Sequence, residues 1–165
     1  EIFTQSSELL HSEEENIFEQ VEDLRQSMFV SYSLLAISEE LDNLGQQDYG
    51  PRWERYVSQA SENLAQAITE QNQEVLIQAQ TRLQRIRAYH EYQGVLSNIA
   101  ESLEENPHSV SAQDYRLARR HLQRFCTQLL TDENIGESSD LEQANQALAR
   151  AARSAPKPVT CGTPA

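Results

Sequence analysis

Two Glu-x-x-His pairs carry the spacing closest to metal chemistry in this chain: Glu8 with His11, and Glu105 with His108. Carboxylate-bridged di-metal bundles use two such pairs facing inward, with one further Glu from each of two more helices. That chemistry needs both members of a pair on one helical face. Pro107 stands inside the second pair, and a proline in a helix interior removes a hydrogen bond and clashes with the preceding turn. The first pair lies near the N-terminus, where helices fray. The chain has twenty Glu and four His, so chance matches are expected. The reading is therefore no metal and no cofactor.

The remaining candidates are weaker. His11 and Glu15 sit four residues apart, the spacing of a solvated helix pair. His90 lies beside Tyr89 and Tyr92 on an apolar stripe, as a hydrogen-bonded core histidine does. His121 follows Arg119 and Arg120 and has no carboxylate partner in its own helix. The two cysteines, Cys126 and Cys161, form no CxxC pair, and two thiols without a Cys/His cluster exclude a structural zinc site. The phosphate-binding loop, the dinucleotide glycine fingerprint and the nucleophile elbow are all missing. No set of residues fills the roles of nucleophile, base and oxyanion donor, so no catalytic residue is assigned and the chain reads as a non-enzyme.

These groups would have to be positioned by helices. The chain has 165 residues, a length suited to one domain. Only 38% of residues are hydrophobic, and the mean hydropathy of -0.66 predicts a thin core under a polar surface. Five Gly and five Pro cluster at a few breaks, separated by runs of Glu, Gln, Ala, Leu and Arg, which are good helix formers. No segment alternates with the period of a strand. The expected fold is all-α: an elongated antiparallel bundle of four to five helices over residues 1–154, followed by an irregular Pro-rich tail over 155–165.

Helix 1 is expected over roughly 5–44. Ile17, Val21, Leu24 and Met28 repeat at 4, 3, 4, the seam of a coiled coil. From Met28 to Ile37 the helix is apolar almost all round, which predicts burial among the other helices. The competing reading is a partner surface formed by Phe29, Val30, Tyr32 and Leu34. Helix 2 starts at Pro51, a good first-turn residue, and runs to about Gln71. A tight turn is expected within 69–74. Helix 3 follows over about 73–105, and its stripe rotates near His90 and Gly94, indicating a bend or a change of neighbour. Ser111 and Asp114 resemble a capping box opening helix 4, whose seam is Tyr115, Ala118, Leu122, Phe125 and Leu129. Helix 5 begins at Ser139 or Asp140 and is Ala-rich.

The formal net charge is -13. It is unevenly spread: residues 1–50 hold twelve acids and only Arg25, whereas 51–130 hold nine acids and nine Arg. An acidic chain lacks the basic stripe that displaces phosphate counterions, so no nucleic-acid partner is expected. Anionic membranes are disfavoured for the same reason. No apolar run approaches the roughly 20 residues of a membrane span, so no membrane insertion is expected in this segment. Arg116, Arg120 and Arg124 line one stripe of helix 4 and could grip an acidic partner or pair with helix 1.

The functional expectation is an adaptor, chaperone-like or assembly module that binds a protein through a helix face, with a homodimer left open. The alternative is an extracytoplasmic ligand-sensing bundle. The acidic, polar N-terminus is not a signal peptide, and a start at Glu1 rather than Met reads as a processed or trimmed form. A bond between Cys126 and Cys161 would indicate an extracytoplasmic location, and two free thiols a cytoplasmic one.

Overall fold

In a computed structural model, the structure describes residues 2–131 and 138–154, with side chains of the first helix described from residue 9 onwards. It is all-α: the described residues form five helices and no strand. These are α1 (Ile2–Gly45), α2 (Pro51–Glu70), α3 (Gln73–Glu105), α4 (Ala112–Leu129) and α5 (Ser139–Ser154). The expected tail over 155–165, and with it the Cys126–Cys161 bond, lies outside the described residues.

The chain divides into two compact units, Glu1–Gln84 and Arg85–Ala165. The division falls within α3, whose first turns belong to one unit and whose remainder belongs to the other.

In the first unit, α1 and α2 pack as an antiparallel pair. A Cβ at Gly45 would lie 3.0 Å from Val57 Cγ1, so the end of α1 meets the start of α2. At the other end, Ser27 Oγ donates to Gln71 Oε1 at 3.3 Å. The buried seam consists of Val30, Leu34, Ile37 and Leu41 from α1 and Trp53, Tyr56, Ala60, Leu64 and Ala67 from α2. Trp53 is completely buried and anchors the connection: its indole N–H donates to the Gln47 carbonyl at 3.0 Å, and Tyr49 packs edge-on at 5.1 Å. Gly50 precedes Pro51 with φ at 100°, a conformation in which a side chain would be strained.

The α2–α3 turn forms without Gly or Pro. Gln71 adopts the left-handed conformation, with its N–H bonded to the Ala67 carbonyl. Asn72 Oδ1 then accepts the Val75 N–H at 2.9 Å, capping α3.

In the second unit, Ile99 and Leu103 of α3 pack with Ala112, Ala118 and Leu122 of α4 and with Ala144 and Ala147 of α5. Ala118, Ala144, Ala147 and Ala151 have no exposed surface. Small side chains at these points let the α4 and α5 backbones approach closely. The capping box expected at α4 does not form. Ser111 makes no side-chain cap bond; its hydroxyl lies 3.2 Å from that of Ser109. Asp114 turns instead to α5 and accepts from Arg150 Nε at 3.2 Å.

Candidate functional site

The α1 helix carries two apolar stripes. The first, Val30, Leu34, Ile37 and Leu41, is the seam covered by α2. The second runs through Leu10, Ile17, Val21, Leu24, Met28 and Leu35, flanked by Phe18 and Tyr32, and every one of these side chains is exposed. At about 100° per residue, it lies roughly 150° around the helix from the first. One helix can cover only one side of another, so α2 leaves the outer stripe in solvent.

This corrects the expectation of all-round burial from Met28 to Ile37. Val30 and Leu34 are core residues, with 2% and 0% exposure. Buried against α2, they are not available on the surface with their neighbours. Phe29 and Tyr32 are 61% and 67% exposed, and Met28 and Leu35 join them outside.

The antiparallel partner ends near Ser27, and α1 continues beyond it. From Leu9 to Gln26 every side chain except the half-buried Glu22 is exposed. Local pairs on this arm are weak: His11 Nε2 to Glu15 Oε1 at 3.4 Å, and Arg25 Nη1 to Glu22 Oε2 at 3.8 Å, all well exposed. Yet the arm holds Leu9, Leu10, Ile17, Phe18, Val21 and Leu24 in water. The four-residue seam from Ile17 to Met28 is legible from sequence. Its continuation to Leu10 and Leu35, each seven residues from a seam member, is the signal that extends the stripe across most of α1.

Arg116, Arg120 and Arg124 are all exposed on α4, on the side away from Ala118 and Leu122. Arg116 is engaged locally: its Nη2 donates to the Pro107 carbonyl at 2.8 Å, clasping the loop before its own helix.

No protein-family model, curated protein or solved structure matches the chain.

His121 is only 8% exposed, and the partner absent from its own helix comes from α5. Its Nδ1 lies 2.9 Å from Asp140 Oδ1, and Gln128 Nε2 donates to Asp140 Oδ2 at 3.2 Å. Asp140 sits in the first turn of α5, where a carboxylate also favours the helix dipole. The cluster ties α4 to α5. Cys126 is buried, and burial pushes its thiol up to about 11, with a hydrogen bond to Gln93 acting in the opposite sense. Such a thiol is a poor nucleophile at neutral pH. Tyr92, edge-on to Phe125 at 5.3 Å, is likewise raised by burial, then by Glu91 and Cys126.

Among the described residues, no three His, Cys, Asp or Glu side chains converge as a metal site. His11 pairs with Glu15, and the side chain of Glu8 lies outside the described residues. Glu105 ends α3, whereas His108 lies in the following loop, so that pair does not share a helix. A polar cleft between α2 and α3 is lined by Asn63, Gln66, Glu70, Gln78 and Arg82. No described helix is long and apolar enough to cross a membrane.

Proposed function

We propose that this chain is a non-catalytic interaction module whose binding face is the outer stripe of α1. One observation carries the reading: a run of large apolar side chains from Leu10 to Leu35, interrupted at Glu14 and Ser31, stands exposed on a single helix face. Extended apolar patches of this kind mark interaction sites in soluble proteins. Helix-face recognition uses anchors three and four residues apart, as in Ile17, Val21, Leu24 and Met28. Tyr32 widens the face, Phe29 is exposed but lies to one side of it, seven residues from Glu22, and Val30 and Leu34 support it from within. The surrounding acids favour a partner surface that is apolar at its centre and not acidic at its rim.

The test compares wild-type protein with Leu24→Glu as bait, using quantitative mass spectrometry of co-purified proteins. Leu24 is 62% exposed, so the substitution leaves the core untouched. The reading predicts a protein recovered stoichiometrically by the wild type and lost with Leu24→Glu, and binding of that protein in purified form. Identical recovery by both baits, from a chain that also stays monomeric, contradicts it.

A further inference from the structure

We propose that the outer stripe of α1 pairs with the same stripe of a second copy of this chain, the two helices running antiparallel. This rests on the reading of α1 as a binding face and names its occupant. The stripe has heptad spacing, with core positions at Leu10, Glu14, Ile17, Val21, Leu24, Met28, Ser31 and Leu35. Read backwards, that series matches itself. An antiparallel pair whose two-fold axis passes between Glu22 and Asp23 sets Val21 opposite Leu24 of the second copy. The same register sets Ile17 opposite Met28 and Leu10 opposite Leu35. The only two polar core positions, Glu14 and Ser31, then meet each other.

Charge selects this orientation. A parallel in-register pair would set Glu14 against Glu14 in the seam, and facing like charges are destabilising. The antiparallel register gives Glu14 a hydroxyl that can donate to it. At the flanks it sets Phe18 beside Arg25 of the second copy, where a guanidinium can lie over an aromatic face. Tyr32 is set beside His11. The acids Glu15, Glu19, Glu22 and Asp23 project away from the seam, and Glu13, on its flank, faces no acid of the second copy in this register.

The surface is large enough. The eight side chains of the stripe and its flanks are 49–71% exposed in each copy. Covering sixteen of them removes on the order of 1,000 Å², the lower range of specific interfaces. The α2 helix does not compete for the space, because it covers the other side of α1.

Sedimentation equilibrium of the full chain tests the proposal, with Leu24→Glu and the opposite-face control Glu19→Lys. Wild type and Glu19→Lys are expected to dimerise reversibly, and Leu24→Glu to weaken the dimer at least about tenfold while circular dichroism reports a folded chain. Glu14→Leu removes the polar layer and is expected to tighten the dimer severalfold. Orientation is read from a chain carrying Ile17→Cys and Met28→Cys, oxidised and mapped by mass spectrometry so that native thiols are distinguished. Links from residue 17 to residue 28 between chains support the register. Links joining 17 to 17 and 28 to 28 overturn it, as does a wild-type chain that stays monomeric to about 100 μM, or a dimer indifferent to Leu24→Glu. A monomeric wild type removes self-pairing alone; the broader reading falls only if the two baits also recover the same proteins.

Discussion

The arm of α1 and the α4–α5 pair are built from the same pattern and end in opposite states. Tyr115, Ala118, Leu122, Phe125 and Leu129 repeat at 3, 4, 3, 4, and the last four are buried. Ile17, Val21, Leu24 and Met28 repeat at 4, 3, 4, and all four are exposed. The difference is the neighbour. The α4 seam meets α3 and the alanines of α5, whereas the antiparallel partner of α1 ends at Ser27. Helical periodicity specifies a face to be covered; what covers it depends on the lengths and connections of the other helices.

The largest effect should come from the covered side. Trp53→Ala removes a completely buried indole and its bond to Gln47. A loss of about 3–5 kcal/mol is expected, measured by urea unfolding of the first unit. Leu122→Ala in the second unit should lose about 2–5 kcal/mol, and two separate transitions would show that the units unfold independently.

Overpacking tests the close α4–α5 approach. Ala144→Leu forces a larger side chain into a point with no exposed surface and should cost about 1–3 kcal/mol. Asp140→Ala leaves His121 Nδ1 without its carboxylate partner and should cost a similar amount, about 1–3 kcal/mol. A thermal melt unchanged by either substitution would mean that the two helices are not held as described.

Much of this architecture was legible in the residues, for identifiable reasons. Pro51 and Gly45 bracket the first turn, and the breaks near Pro107 and before Ser139 separate α3, α4 and α5. The turn at Gln71 and Asn72 was expected without a glycine, and Asn72 supplies the cap that fixes it. The Ser111–Asp114 cap does not form because Ser111 adopts the helical conformation with its hydroxyl against Ser109, while Asp114 pairs with Arg150, 36 residues away. The Asp140 partner of His121 was hidden for the same reason: it lies on another helix. The division of Met28–Ile37 into a covered and an open side was equally illegible, because a stretch apolar all round does not say how many neighbours it will have.

Smaller effects sharpen the contrast. Cys126, with its thiol at about 11 against an ordinary 9.0, should react about tenfold more slowly than an unfolded thiol with a disulfide reagent near pH 8, the smaller thiolate fraction being partly offset by the greater nucleophilicity of a more basic thiolate, before steric blocking is counted. The rate should rise to the unfolded value in denaturant. At the low end of the scale, Leu24→Ser should change the stability of the dilute chain by no more than about 0.5 kcal/mol, because it alters a surface already in water.

The central claim is that the outer stripe of α1 is covered by another molecule and not by its own chain. Amide hydrogen exchange, followed by mass spectrometry at submicromolar and at high protein concentration, tests it most directly. The account predicts that amides between Leu10 and Gln26 exchange rapidly when dilute and become protected when concentrated, while those around Ala118 and Leu122 stay protected at both. Equal protection of the arm at every concentration would mean that its own chain covers it, and an arm unprotected at every concentration would mean that no second copy does.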